Sequence, residues 1–155
     1  MKNKGFSLVE LIIVIAIMAI LAAAIAPALI RYIDKSRKAD DLTAGGTINS
    51  AMSAALANED AYDELQATSN CVLFAVSKNT IQAQSAAAGS KLYDEFSNNL
   101  DQKVAPKYKK EGQSYFVVFA DAQGKITVAA GSAASSNPTG VTQWWMQPSI
   151  GETYK

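Results

Sequence analysis

Glu10 is a carboxylate at the start of a long apolar segment, and its type and position suggest chemistry. Residues 11–30 are twenty positions without a charged side chain. A carboxylate inside a membrane helix costs about 2.5–3.5 kcal/mol on insertion scales, and such residues usually have a partner or a function. The positive end of a helix dipole also favours a negative charge near the N-terminus. Two interpretations follow: Glu10 pairs with a cation in an apolar environment, or it reaches the lipid headgroups.

A second group of acids suggests metal binding. The group consists of Glu59, Asp60, Asp63 and Glu64. If the segment is helical, Asp60 and Glu64 lie on one face at i and i+4, where a cation would find two carboxylates. No loop rich in oxygen ligands surrounds them, so the pattern favours a solvated acidic face. We therefore predict no metal site.

One thiol and a group of lysines complete the candidates. Cys71 has apolar neighbours, which favours a buried structural thiol. The lysine group and its nearby tyrosines are Lys103, Lys107, Lys109, Lys110, Tyr108 and Tyr115. This pattern is typical of a solvated basic loop, with a small DNA- or surface-binding patch as the alternative. Nucleic acid thus stays open as a partner.

The composition excludes several kinds of active site. The 155 residues include no His and one Cys, and 14 Lys and Arg balance 14 Asp and Glu. Without His there is no imidazole base and no His-ligated metal. One Cys excludes an intramolecular disulfide and a Cys-rich zinc site. We predict a protein that is not an enzyme and has no cofactor.

The element that positions Glu10 is predicted to be a membrane-length helix. Residues 11–30 would span about 30 Å as a helix, the thickness of a bilayer core. Three interpretations compete: a cleaved secretory signal, a permanent anchor, and a helix that moves from the membrane into a protein assembly. A basic start and the sequence at 24–26 fit a signal peptide. Pro27, directly after that cut, and Glu10 within the run count against it.

The N-terminal sequence closely resembles a known processing motif. The residues are Lys4-Gly5-Phe6-Ser7-Leu8-Val9-Glu10, followed by Leu11-Ile12-Ile13-Val14. A short basic leader ending in Gly, then Phe, a Glu four positions after it and a long apolar run resemble the N-terminus of type IV prepilins and related pseudopilins. The resemblance covers roughly residues 1–40.

The resemblance implies a set of functional residues. A prepilin peptidase would cut between Gly5 and Phe6 and methylate the new Phe6 amine. Glu10 would pair with the Phe6 amine of a neighbouring subunit as helices stack into a filament. The implied organisation is a leader at 1–5, a transmembrane and assembly helix at 6–30 and a globular pilin domain at 31–155. Loss of the leader would leave 12 Lys and Arg against 14 Asp and Glu, a side-chain balance of −2.

Two features near the end of the apolar run bear on this interpretation. Pro27 matches a proline in the family's first helix, and its clash with the carbonyl of Ala23 predicts a kink or local melting. The basic residues just beyond the run are Arg31, Lys35, Arg37 and Lys38. By charge count they favour a cytoplasmic location for this end, whereas the resemblance places it outside. We give the motif more weight than the charge count.

The predicted fold is α+β and pilin-like, with a long N-terminal helix packed on a small antiparallel sheet. The helix is expected over about 6–57, with an apolar stripe at Ile48, Met52 and Leu56 and a kink or weak point at 45–46. A helix start is predicted at Asn58. Periodicity leaves 71–76 open between helix and strand, and 83–88 favours helix.

The remaining segments predict one helix and three strands. A helix is expected after Ser90 with Leu92, Phe96 and Leu100 on one face, ending before Pro106. Aromatic and β-branched residues at 115–120 and 125–129 flank a turn, which predicts a hairpin. Residues 143–147 are the expected third strand; of Trp144 and Trp145, one is expected in the core and the other partly exposed.

The expected function is that of a major structural subunit of a type IV pilus. The alternatives are a pseudopilin of a type II secretion or competence system, and a membrane-anchored binding protein that never polymerises. The resemblance implies self-association, prepilin peptidase, an assembly ATPase, a platform protein and membrane lipid as partners. The precursor would cross the inner or cytoplasmic membrane once, and the mature chain would form a pilus on the cell surface.

Overall fold

A computed structural model describes most of the chain, divided into two compact units. The described residues are 6–67, 72–78, 80–83, 90–101, 104–109, 112–131 and 145–155. The units are Met1–Ser36 and Arg37–Lys155.

The first unit contains the N-terminal part of one long helix. This helix, α1, spans Leu8–Ala55, which confirms the long N-terminal helix and moves each end inward by two residues. Leu and Ala are frequent in its first half and are strong helix formers. Every large apolar side chain between Phe6 and Ile33 is 42–82% exposed. Within the described residues, α1 is the one helix long and apolar enough to cross a membrane.

In the second unit, α1 buries a single stripe of side chains. Ile48 and Met52 are fully buried, as the helical spacing predicted, together with Ala55. Leu56, the third residue of the predicted stripe, lies just beyond the end of α1 and is only partly buried. The helix continues through Gly45 and Gly46, where a kink or weak point was expected. Gly45 is buried because Met146 packs directly against it: a Cβ at Gly45 would lie 2.8 Å from the Met146 Sδ atom.

An antiparallel sheet packs on this helix and confirms the predicted α+β architecture. Its strands are β1 (Val72–Val76), β2 (Ile81–Ala83), β3 (Tyr115–Ala120), β4 (Ile126–Gly131) and β5 (Trp145–Gln147), in the order β2-β1-β3-β4-β5. The expected hairpin is β3–β4, and β5 lies within the expected third strand. The ambiguous run at 71–76 supplies β1. Ala83, expected to begin a helix, ends β2 instead because it pairs with Phe74 of β1; residues 84–88 lie outside the described residues.

The β3–β4 turn follows from its residue types. Asp121 Oδ1 accepts hydrogen bonds from the backbone N–H of Gln123 at 3.0 Å and of Lys125 at 2.8 Å. Gly124 has a φ of 75°, a left-handed conformation that favours glycine. The side chain of Gln66, from the helix Glu59–Ala67, donates to the carbonyl of Ala122 and holds the turn against that helix.

Two short helices cover the core. They are α2 (Glu59–Ala67) and α3 (Lys91–Asn99). Both begin where predicted: Asn58 Oδ1 accepts from the Asp60 N–H, and Ser90 Oγ accepts from the Tyr93 N–H. In contrast to the expected end near Pro106, α3 ends at Asn99, because Leu100 leaves the helical conformation with its side chain buried.

Candidate functional site

The N-terminus of α1 positions Glu10 through a local capping interaction. The Ser7 carbonyl accepts the first helical hydrogen bond, from the Leu11 N–H at 3.2 Å. Glu10 Oε2 accepts a hydrogen bond from the Ser7 N–H at 2.9 Å. A Ser followed three residues later by Glu is the capping-box sequence, in which the Glu satisfies a backbone donor before the first turn. The Glu10 carboxylate is therefore held at the positive end of the helix, where the dipole favours its charge.

The predicted processing residues lie immediately before this cap. Phe6 is 82% exposed, and Gly5 lies outside the described residues. An amine on Phe6 would be one residue away from the N–H that Glu10 binds. Cleavage after Gly5, methylation of Phe6 and pairing with Glu10 stay predictions.

Pro27 lies inside α1 and does not end it. Residues on both sides of Pro27 are helical, and the helix continues to Ala55. Proline removes one backbone donor from the i to i−4 ladder, so one carbonyl in the preceding turn lacks its helical partner. The helix is uninterrupted at this position, so the structure shows no local melting there.

The second unit contains a buried carboxylate, Asp41, that the sequence analysis did not predict. Asp41 is 1% exposed, and three groups from distant segments donate hydrogen bonds to it. The Lys107 N–H binds Oδ1 at 2.7 Å, the Tyr108 N–H binds Oδ2 at 2.9 Å, and the Tyr154 hydroxyl lies 3.4 Å from Oδ2. Asp41 thus joins α1 to the 104–109 segment and to the short 3-10 helix Glu152–Tyr154. Extension of the predicted stripe by about two turns, from Ile48 through Gly45 to position 41, would have pointed to it.

Burial dominates the electrostatics of this cluster. Desolvation raises the pKa of Asp41, and the hydrogen bonds from Lys107, Tyr108 and Tyr154 oppose that shift. Burial, followed by the charge of Asp41, raises the pKa of the Tyr154 hydroxyl, which is therefore a neutral donor. The Tyr108 and Tyr154 rings meet edge to face at 6.2 Å, and the Lys38 Nζ atom lies 5.1 Å from the centre of the Tyr108 ring.

The acidic group on α2 divides between two faces. Asp60 forms an ion pair with Lys91, and Glu64 Oε2 accepts the Leu92 N–H at 3.2 Å. This face therefore binds the first turn of α3. Glu59 and Asp63 are exposed. Within the part of the chain that the structure describes, no group of three or more acidic, His or Cys side chains is placed to hold a metal ion.

The described members of the lysine group have different surroundings. Lys107 pairs with Asp40 at 2.9 Å, and Lys109 is exposed. Tyr108 is buried, so its ring is not an exposed stacking platform for bases. Tyr115 is half-buried in β3. Lys103 and Lys110 lie outside the described residues, as do Cys71 and Trp144, while Trp145 is half-buried in β5.

Comparison with known proteins gives a match at the N-terminus of the chain. Residues 1–26 match the family model described as the prokaryotic N-terminal methylation motif. Searches of curated proteins and of solved structures found no match. The motif implies processing by a prepilin peptidase, membrane anchoring and later assembly by dedicated machinery, and proteins of this class are structural rather than enzymatic. The chain is therefore type IV pilin-like, with the N-terminal methylation motif of the pilin and pseudopilin class, a long N-terminal helix and an antiparallel sheet.

Proposed function

We propose that this chain is the precursor of a major structural subunit of a type IV pilus. The observation that carries the proposal is the apolar surface of α1, where every large apolar side chain from Leu8 to Ile33 is substantially exposed. Apolar surfaces of this extent mark membrane or protein interfaces. Lipid covers the surface in the single-span precursor, and neighbouring copies of α1 cover it in the filament. An assembly ATPase and a platform protein are the proposed partners for this transfer.

The proposed processing supplies the cation that Glu10 needs. Hydrolysis of the Gly5–Phe6 peptide bond by water leaves a carboxylate on Gly5 and frees an amine on Phe6. The amine then takes a methyl group from a methyl donor with loss of one proton, and the methylated amine is protonated at neutral pH. Glu10 already accepts the Ser7 N–H through Oε2, and a carboxylate has further acceptor capacity on its second oxygen. That oxygen binds the Phe6 amine of a neighbouring subunit and sets the register of the stacked helices.

The mature N-terminus is the direct test of processing. Mass spectrometry of the chain from membranes or filaments is expected to give a sequence that begins at methylated Phe6. A chain that begins at Ile25 or Pro27 would identify a cleaved secretory signal and contradict the proposal. An intact Met1 would instead favour a membrane-anchored protein that is never processed.

Substitution of Glu10 tests the assembly step. Removal of one partner from a buried ion pair typically costs about 3–5 kcal/mol, so Glu10→Ala is expected to abolish filaments seen by electron microscopy. The matched control is Asp94→Ala, which removes an exposed carboxylate from α3 and is expected to leave filaments unchanged. Normal filaments from Glu10→Ala would disprove the proposed pairing.

The runner-up within the class is a pseudopilin of a type II secretion or competence system. Both functions use the same N-terminal site, so filament length distinguishes them: short assemblies only would favour the pseudopilin. The third candidate, a membrane-anchored binding protein, predicts no filaments and no effect of Glu10→Ala.

A further inference from the structure

A cleft in the second unit lies between α1 and the 104–109 segment. Its volume is about 940 Å³. Arg37, Asp40, Ala44 and Thr47 follow one another at helical spacing and form one wall. The 104–109 segment forms the other wall and is held to α1 by the hydrogen bonds of Asp41. Lys78, just after β1, also lines the cleft.

The charges that line this cleft are predominantly positive. Four cationic side chains and two carboxylates contribute. One of the carboxylates, Asp41, is buried and accepts two backbone N–H groups, and the other, Asp40, pairs with Lys107. Arg37, Lys78 and Lys109 are exposed and make no ion pair with any residue that the structure describes. Like charges that line a cleft focus the electrostatic field and attract an anionic group.

A complementary acidic surface lies on α2 of the same chain. Asp60 and Glu64 contact the first turn of α3. Glu59 and Asp63 face solvent instead. Their spacing of i and i+4 places them on one helix face, where like charges repel. Both side chains are exposed, and neither forms an ion pair with a described residue.

We propose that the acidic face of α2 in one copy, formed by Glu59 and Asp63, docks in the cationic cleft of a second copy, beside Arg37, Lys78 and Lys109. The inference rests on the proposed polymerisation, because stacked α1 helices hold the two copies side by side. From Ala44 at the cleft to Ala55 at the end of α1 the helix rises about 17 Å. A parallel copy displaced along the axis by about that distance brings the start of its α2 to the level of the cleft.

The two surfaces also fit an open assembly. The cleft and the acidic face are different patches, so their contact is head-to-tail and not the self-matched contact of a two-fold dimer. Each copy would offer one cleft and one acidic face, and a contact of this kind repeats along a filament. Individual surface ion pairs are weak and screened by salt, so the contact is expected to orient copies that α1 already holds together.

Cross-linking in filaments tests the contact. The chain carries Cys71→Ser with Asp63→Cys and Lys109→Cys, and intact filaments are treated with a short bismaleimide. We expect a ladder of cross-linked oligomers in a denaturing gel. The matched control replaces Asp63→Cys with Asp94→Cys, an exposed acid on α3, and is expected to give no ladder. Filaments without a 63–109 ladder would overturn the inference and leave the proposed function intact, whereas absence of filaments from the unmodified chain would instead overturn the proposed function.

Charge reversal gives a second readout that does not depend on Cys71. At moderate salt, Asp63→Lys alone and Lys109→Glu alone are each expected to reduce filament yield at least about threefold, in line with the modest strength of exposed pairs. The combined variant is expected to restore the yield, and Asp94→Lys to leave it unchanged. Reduced yield without restoration overturns the contact. A further outcome would be tight binding of duplex DNA that Lys109→Glu abolishes, without a 63–109 ladder. That result would show that the cleft binds an external polyanion, and it would also overturn the proposed contact between copies.

Discussion

At the residue scale, Asp41 and Glu10 show the same functional group, a carboxylate, in two different environments. Both carboxylates lie in α1 and accept backbone N–H groups. Glu10 binds a donor three residues away, at an exposed helix end. Asp41 is buried and binds donors more than sixty positions away in the sequence. The first contact is local and stabilises a helix end, whereas the second holds a distant segment against the helix.

Replacement of Asp41 is expected to loosen this segment. In Asp41→Asn, one oxygen becomes an NH₂ group, so either the Lys107 or the Tyr108 N–H loses its acceptor. A buried unsatisfied donor costs about 1–3 kcal/mol, and we expect the free energy of unfolding to fall by that amount. The measurement is denaturant unfolding of the full chain in detergent, with Asp40→Asn as the exposed neighbouring control. An unchanged midpoint in Asp41→Asn would contradict this account.

The raised pKa of Asp41 predicts a pH dependence of stability. Burial raises its pKa in the folded chain above the ordinary value of 3.8, so the folded state holds this proton more tightly than the unfolded state. Stability from this group is therefore fully present below about pH 3.8 and is lost as the pH rises through the folded pKa. The unfolding free energy of the wild type is expected to fall relative to that of Asp41→Asn across this window. Parallel pH profiles of the two proteins would count against the shift.

At the element scale, the contact between α1 and β5 depends on a glycine. Ala is a better helix former than Gly by about 1 kcal/mol. From the sequence alone, replacement of either glycine of α1 by Ala would be expected to stabilise the helix. At Gly46 nothing lies within 4 Å of an added Cβ. At Gly45 the same atom would lie 2.8 Å from Met146 Sδ and 3.0 Å from Met146 Cβ.

The two glycines are therefore expected to respond in opposite directions. Gly46→Ala is expected to stabilise the fold by up to about 1 kcal/mol. Gly45→Ala is expected to destabilise it, because overpacking of a buried contact costs about 1–3 kcal/mol. Thermal unfolding of the two variants side by side checks the contrast. A stabilised Gly45→Ala would show that β5 shifts away from α1 without cost.

At the scale of the whole molecule, the division into two units separates two kinds of surface. The first unit exposes its apolar side chains, whereas the second buries a core in which the Phe74 and Phe96 rings stack at 5.3 Å. The net charge of zero for the whole chain is therefore the sum over two units with different surfaces. With the leader removed, the proposed mature chain has a side-chain balance of −2, and its cationic side chains lie from Arg31 onward.

The location of the second unit is a prediction at this scale. The proposed function places it outside the cytoplasm, against the charge count of Arg31, Lys35, Arg37 and Lys38. Asp94→Cys in a Cys71→Ser chain is expected to react with an impermeant thiol reagent on intact cells. Permeabilised cells define full labelling, and Cys71→Ser alone defines the background. Labelling only after the membrane is broken would place this unit in the cytoplasm.

Local patterns predicted much of the fold. Helical spacing predicted the bounds of α1 to within two residues, and capping residues such as Ser90 predicted the starts of α2 and α3. The turn residues Asp121 and Gly124 predicted the β3–β4 hairpin. Each of these signals involves residues close together in the sequence. The order of five strands and the assignment of β1 did not follow, because the run at 71–76 becomes a strand only through its pairing with β3. The same reason explains Ala83, whose helix propensity is overridden by pairing with Phe74.

The sequence by itself determined the apolar helix, the methylation motif and the position of Glu10, because these depend on residue types and spacing within one continuous N-terminal segment, residues 1–30. Tertiary structure alone decided the burial of Asp41, the need for Gly45 and the cleft beside Arg37 and Lys109. Each of these depends on contacts between segments far apart in the chain, such as the hydrogen bonds from the Lys107 and Tyr108 N–H groups to Asp41. Local periodicity does not indicate contacts between distant segments. The only sequence feature that pointed to one of them was Asp41, an acid in line with the buried stripe of α1.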